Sequence, residues 1–325
     1  MKKVFAVTAA LALLGLSIAA QSAITIDTVT VGDAGNTADT TGYGSVGYNY
    51  NIGKYEVTAG QYTAFLNAKA NVSDTYGLYN GSMWSDSYGC KIERTSISGG
   101  YSYSVASDYA NRPVNYVSYW DSLRFANWLG NGQGTGSTET GAYTLTPTGI
   151  TNNTITRNTG WKWAVTSEDE WYKAAYYEGD STSAGYWDYP TSSNTAPGRD
   201  MADASGNNAN IFGTPYPIDS GHYTTVVGEF ENSRSAYGTF DQGGNLWEWN
   251  EAVVYPDSLF ASRGVRGGLF SGYDSLLRAS SRNYYMTDGY HGVGFRLVQA
   301  VPEPSSIIAL LGGLAGLLGT RRRRA

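Results

Sequence analysis

Phe240-Asp241-Gln242-Gly243-Gly244-Asn245-Leu246-Trp247-Glu248-Trp249 sets two tryptophans, two acids and two glycines within ten residues, too polar for a core strand and too aromatic for a solvent loop. The carboxylates of Asp241 and Glu248, the amide oxygen of Asn245 and a glycine-loosened backbone make up the oxygen set that a hard cation such as Ca²⁺ prefers. An acidic turn running into a half-buried strand fits the same residues, so the stretch alone leaves both open. Trp247 and Trp249, two apart, are expected to pack on one side and fix the loop to the body.

Upstream, three strand-to-helix transitions are marked by capping residues. Thr58 with Gln61 makes a capping box after the strand-like Ile52-Gly53-Lys54-Tyr55-Glu56-Val57, and Tyr62, Phe65 and Leu66 follow on one helical face. Ser118 ends Arg112-Pro113-Val114-Asn115-Tyr116-Val117 and caps a helix whose face is Leu123, Ala126 and Leu129. Ser167 with Glu170 is a second capping box, and Trp171, Ala174 and Ala175 form the buried face behind it. Between these lie long Gly/Ser/Tyr-rich segments, residues 71–111 and 179–235, which read as ordered loops, and a Thr/Asn-rich segment, residues 142–159, which reads as a hairpin. Gly42-Tyr43-Gly44-Ser45-Val46-Gly47 satisfies the dinucleotide pattern GxGxxG, but a strand rather than a helix follows, so its glycines are expected to turn a hairpin.

These runs together resemble the formylglycine-generating enzyme (sulfatase-modifying factor) family. Gly-Asn-Leu-Trp-Glu-Trp, then Arg266-Gly267-Gly268 and Gly294-Phe295-Arg296, match its later motifs. Lys54-Tyr55-Glu56-Val57-Thr58 matches its opening signature, and Pro113 to Leu129 matches its "P-V-x-x-V-S-W" strand and helix, with Tyr119 in place of the tryptophan. Thr166, Glu170, Trp171, Ala174 and Ala175 keep part of a third motif whose leading Arg and Pro are lost. The resemblance covers residues 48–298 and implies one irregular α+β domain, an elaborated C-type lectin-like fold poor in regular structure. It also implies two calcium sites. One would use Asp241 and Glu248 side chains with Gly244 and Leu246 carbonyls, and the other Asn210, the Ile211 carbonyl and Asp219.

The ends of the chain carry signals of another kind. Lys2-Lys3, an apolar run from Val4 to Ala20 and small residues to Ala23 read as a secretory signal peptide over residues 1–23, an uncleaved anchor being the alternative. Residues 24–300 form the domain, and residues 301–325 combine Pro302-Glu303-Pro304, an apolar segment from Ile307 to Leu318 and Arg321 to Arg324. At a helical rise of about 1.5 Å per residue that segment spans roughly 18 Å, too short for a hydrocarbon core of about 30 Å. The three parts, in this order, resemble the PEP-CTERM sorting signal of Gram-negative bacteria. That implies processing by an exosortase, transient anchoring in the inner membrane, and delivery to the cell surface, outer membrane or extracellular matrix, in the company of exopolysaccharide and biofilm systems.

Without those ends 16 basic residues face 27 acidic ones, so the formal charge moves from -6 to -11. Such a domain repels nucleic acid, and none is expected as a partner. Cys90 is the single cysteine, so no intramolecular disulfide forms, and a buried, inert thiol is expected.

The family's oxidase depends on a cysteine pair that binds copper in the segment after the Gly-Gly turn. Here that segment, residues 267–278, holds no cysteine, and a soft cuprous ion is not held by Ser or Asp, so formylglycine formation and copper are not expected. Asp274, Arg278 and Arg282, with Tyr284 and Tyr285, would line the former active-site region, where the arginines would either clamp an anion or be held by carboxylates at the edge of the core. The function expected is that of an exported, calcium-stabilised, non-catalytic module binding a glycan of an exopolysaccharide or a matrix protein, its Tyr- and Trp-dense loops stacking on sugar faces. An oxidoreductase with a repurposed family cleft is the alternative, and a self-associating matrix protein a third.

Overall fold

In the computed structural model, which describes residues 23–255 and 261–301, Thr58 caps the first helix as a capping box requires. Its hydroxyl accepts from the Gln61 amide (3.2 Å), and Gln61 Oε1 accepts from the Thr58 amide (2.9 Å). The box at Ser167 and Glu170 and the cap at Ser118 form likewise. Each satisfies amides that the first turn leaves without a helical partner, a contribution of about 1 kcal/mol. The helices are α1 (Ala59–Lys69), α2 (Ser82–Ser85), α3 (Tyr119–Gly130), α4 (Pro147–Thr151) and α5 (Glu168–Tyr176). Residues 1–22 of the expected signal peptide and all of Pro302-Glu303-Pro304 with its apolar and arginine segments lie outside the described residues.

The strands are β1 (Thr28–Val31), β2 (Tyr50–Gly53), β3 (Ile92–Ile97), β4 (Gly100–Val105), β5 (Trp163–Val165), β6 (Trp247–Tyr255), β7 (Ser262–Arg266), β8 (Asn283–Met286), β9 (Val293–Gly294) and β10 (Leu297–Ala300). They form a four-stranded antiparallel sheet in the order β1-β2-β10-β5, a sheet in the order β8-β7-β6-β9 whose β6/β9 pair is parallel, and a β3-β4 hairpin. β1 and β2 are antiparallel neighbours, so the glycines at 42–47 lie in the connection of a strand pair, as expected.

α3 departs from the amphipathic face read for it. Every residue from Tyr119 to Leu129 is buried, because the helix is enclosed rather than laid on a surface. Phe65 of α1 meets Phe125 and Trp128 of α3 at ring separations of 5.3 Å each, and Phe125 meets Phe295 on the far side at 5.5 Å. The charges inside α3 are paired: Arg124 bonds both Asp121 (3.2 Å) and Glu139 (2.9 Å).

Two loop readings are corrected. Residues 71–111 contain α2 and the β3-β4 hairpin, turned at Ser98-Gly99, so this segment is partly regular. Residues 142–159 are not a hairpin of strands. A single bridge, Tyr143 to Arg157, closes around α4, because Thr146 caps a turn with Pro147 at its first position.

Candidate functional site

β6 begins at Trp247, and its neighbours place Glu248 beside Arg266 of β7 and Gly294 of β9. Trp247 and Trp249 are both buried, Trp249 donating its indole N–H to the Val117 carbonyl (3.1 Å). The turn before the strand depends on left-handed backbone at Asp241 (φ 60), Gly244 (φ 83) and Asn245 (φ 57). At Gly244 a side chain has no room, since a Cβ there would lie 2.3 Å from the Asn210 carbonyl oxygen.

Asn245 ties this turn to three other segments. Its amide oxygen accepts from the Thr225 amide (3.0 Å) and Asn210 Nδ2 (3.1 Å), its Nδ2 donates to Glu56 Oε2 (2.9 Å), and its carbonyl accepts from the Phe270 amide (2.8 Å). That oxygen is therefore committed to protein donors, which removes Asn245 from the cation set read for it.

The second calcium set is brought together, with one member heavily occupied. Arg296 grips Glu248 through Nε–Oε2 and Nη2–Oε1, both 2.6 Å, and the Trp171 indole N–H donates to Oε2 (2.7 Å). Of roughly four acceptor positions on a carboxylate, three are filled. Asp241 is different. It accepts from the Gly228 amide (2.6 Å), and burial pushes its carboxyl up to about 6 against the opposing pull of that amide and of Arg296. Glu56 is raised well above the usual carboxylate range, first by burial and then by Glu248 and Asp241, and its Oε1 has no hydrogen-bond partner. Burial and mutual repulsion thus favour the protonated forms of Asp241 and Glu56, and Asp241, with the carbonyls of Gly244 and Leu246, is what would be left to hold a cation here.

The first set is largely engaged by arginine. The Ile211 carbonyl accepts from Arg199 Nε (2.6 Å), Asp219 Oδ2 accepts from Arg112 Nη2 (2.6 Å), and Asn210 turns its Nδ2 to the Tyr223 carbonyl (2.9 Å). Two of its three oxygens already hold a guanidinium. Among the described residues no group of three or more His, Cys, Asp or Glu side chains is arranged to hold a metal.

Asp274 and Arg278 both lie near Tyr189, whereas Arg282 is held by Glu168. Asp274 opens a 3-10 turn, Asp274–Leu277, and Arg278 follows it in extended backbone, so the i, i+4 spacing of the two arginines is not helical. Arg278 lies over the Tyr189 ring (5.2 Å). Arg282 bonds Glu168 (2.7 and 3.0 Å), which also holds Arg266 (2.8 Å), so the structure realises the carboxylate-held alternative for Arg282.

A continuous run of rings does cross this region. Tyr273 meets Phe212 at 5.5 Å, Phe212 meets Tyr216 at 5.2 Å, and Tyr216 meets Tyr223 at 5.7 Å. From Tyr223 the run continues through Tyr88 (4.3 Å), His291 (4.8 Å), Tyr290 (3.9 Å) and Tyr285 (5.6 Å). Burial holds His291 below the usual histidine range, which keeps the ring neutral at neutral pH.

At the far end the run enters a cleft of about 690 Å³ lined by Tyr255, Tyr284, Tyr285, Met286, Asp288 and Tyr290. Asp288 and Gly289 are shared with a neighbouring cavity of about 510 Å³ that reaches Tyr116 and Trp120. Short contacts set the wall between them: Tyr116 donates its amide to the Tyr290 carbonyl (3.1 Å), and Tyr119 donates to that of Thr287 (2.9 Å). At the opposite end Arg199 fixes the loop bearing Phe212 and Tyr216, bonding the carbonyls of Ile211 and Pro215 (2.8 Å). Sequence reading found Tyr284 and Tyr285 but not the run, whose members come from four separated segments.

Cys90 lies beneath this surface. Asn115 accepts from its amide (3.0 Å) and donates to the carbonyls of Tyr88 and His291 (2.7 Å each). Burial pushes the thiol up to about 11, which fits the inert cysteine expected.

Compared with known proteins, residues 28–301 match the model of the Sulfatase-modifying factor enzyme 1-like domain, and residues 300–324 match the PEP-CTERM protein-sorting motif. Among solved structures, CarF superposes with a TM-score of 0.56 at 19% identity, covering 86% of this chain and 99% of that one. Treponema denticola variable protein 1 gives 0.49 at 18% identity, covering 84% and 94%, and PvdO from Pseudomonas aeruginosa gives 0.45 at 19%, covering 84% and 92%. No curated protein sequence matches the chain. Among the described residues no helix is long and apolar enough to cross a membrane.

Proposed function

The chain belongs to the sulfatase-modifying factor enzyme 1-like family and carries an export-linked PEP-CTERM motif, and from that premise we propose that it is a non-catalytic member serving outside the cell as a ligand-binding module. The sorting motif implies processing by an exosortase and an exported protein of a Gram-negative bacterium. The finer placement, at the outer membrane or in the extracellular matrix, is part of the proposal.

The observation that carries it is the exposed aromatic surface. Tyr255, Tyr284 and Tyr290 in the cleft, and Phe212, Tyr216 and Tyr273 at the other end, are each between 36% and 64% exposed. Rings held rigidly with an open face, five of the six bearing a hydroxyl, suit the stacking and hydrogen bonding by which sugars are recognised. The segment where the family keeps its cysteines instead contributes Tyr273 to this surface, with the buried Phe270 packed against Tyr223 beneath it.

Calcium is proposed at the second set alone, with Asp241 and the Gly244 and Leu246 carbonyls as its holders and Glu248 offering its one remaining acceptor position. Bound there, the ion would neutralise Asp241 and stiffen the turn. The test is binding of purified residues 24–300 to exopolysaccharide and a glycan panel, in calcium and in EDTA, with melting followed in parallel. Saturable glycan binding supports the module. A melt raised by calcium supports the ion, since a ligand at a hundred times its Kd adds about 2.7 kcal/mol. Failure to bind the exopolysaccharide or any glycan of the panel sinks the glycan-binding role, and a melt indifferent to EDTA sinks the calcium.

A further inference from the structure

The six exposed rings are not one patch. Phe212 and Tyr216 of the 179–235 loop form a platform with Tyr273 of the segment after the Gly-Gly turn, and Tyr255, Tyr284 and Tyr290 form a second in the cleft. The rings between them, Tyr223, Tyr88 and His291, are half-buried and pack the two platforms into one rigid body. Nothing in that link needs to move for both to be engaged together.

Building on the reading of the chain as a glycan-binding module, we propose that the two platforms bind two separated stretches of one linear polysaccharide made of neutral or amino sugars. Three observations select this occupant. The sorting motif marks an exported protein, which suits a polymer met outside the cell. Each platform is a tyrosine-rich floor beside a carboxylate, Asp274 next to Tyr273 and Asp288 next to Tyr290. That is chemistry for stacking on pyranose faces and accepting from their hydroxyl or ammonium groups. Among the described residues no lysine or arginine lines the cleft, and the domain without its terminal signals carries a formal charge of -11, so the cleft disfavours a uronic-acid chain.

Two rigidly joined weak sites gain affinity only from a chain long enough to reach both, because the second contact is then made at a high effective concentration. Short sugars fill one platform and gain nothing from the other. The spacing of the platforms thus makes the module a reader of polymer rather than of monosaccharide.

The experiment is calorimetric titration of the domain with cello-oligosaccharides and chitosan oligosaccharides, from disaccharide to octasaccharide, with alginate oligosaccharides as the acidic control. The octasaccharide of at least one series is expected to bind at least about tenfold tighter than its disaccharide, with alginate silent. Paired substitution Phe212→Ala with Tyr273→Ala should return the octasaccharide to the affinity of the disaccharide and leave the disaccharide unchanged. Tyr290→Ala should weaken both. An unchanged melting temperature in these exposed-site variants shows that the fold is kept. Affinity independent of length, and sensitive to Tyr290→Ala alone, overturns the two-platform proposal while leaving a glycan-binding module in place. Tighter binding of alginate overturns the choice of sugar, and no binding of any probe overturns the proposal together with its glycan premise.

Discussion

Arg296 and Glu248 hold each other through two contacts of 2.6 Å with both side chains sealed from solvent. Asp241 and Glu56 also act on the same guanidinium, so it answers more negative charge than its one partner carries. Arg296→Met is expected to cost about 3 to 5 kcal/mol, the penalty of an uncompensated buried charge. Adding Glu248→Gln should recover only part of this, because Asp241 and Glu56 remain. Urea denaturation of the single and double variants measures it. A loss under about 1 kcal/mol in the single variant would show that the buried acids are neutralised by other means.

Gly244→Ala should lower stability by more than about 1 kcal/mol, since the position is left-handed and a methyl would press on the Asn210 carbonyl. The damage should be local at first, freeing the segment that bears Phe212. Limited proteolysis should therefore cut near residues 211–216 in the variant and spare the wild type. Equal resistance in both would contradict the close packing described.

A pH effect follows from Asp121, which burial raises to about 6 despite Ser118 (2.6 Å) and Arg124 (3.2 Å). Asp74 adds repulsion from a neighbouring loop, and Glu139 shares Arg124. Between about pH 4 and pH 6 the native carboxyl keeps a proton that the unfolded chain releases, so its contribution to stability falls as pH rises and is level above that window. Two units correspond to at most about 3 kcal/mol. The urea midpoint of the wild type minus that of Asp121→Asn should decline across this window. A difference that is flat with pH removes the assignment.

Cys90 should stay unmodified by a thiol reagent at pH 8 in the native protein and react at once in denaturant, given its burial and a thiol raised to about 11. Fast native labelling would place it nearer the ring surface than its bonds to Asn115 allow.

What the sequence made legible was local. Thr58 with Gln61, Ser118, and Ser167 with Glu170 announce helices because a cap and its target lie three residues apart. The β3-β4 hairpin was also written locally, in the Tyr-Ser-Tyr-Ser alternation after Ser98-Gly99, but polar serines and a wealth of glycine hid it. The choice among cations was not legible. Arg112, Arg199 and Arg296 reach oxygens assigned to calcium from 12 to 107 residues away, and no spacing rule foretells which guanidinium reaches which oxygen. The ring run was hidden for the same reason, since each tyrosine by itself reads as loop stiffening.

The position of β10 bears on how the protein is made. This strand is the last described element, yet it lies inside its sheet, with Val298 opposite both Ile52 and Ala164. A chain emerging from the ribosome can pair β1 with β2 but cannot join β5 to them until residues 297–300 arrive. The sorting motif begins where that strand finishes, at residue 300. Completion of this sheet and presentation of the export tag are thus consecutive events in synthesis. A nascent chain that stops short loses its address and its fold together, and a processing cut made before Ala300 would withdraw the strand that holds the sheet closed.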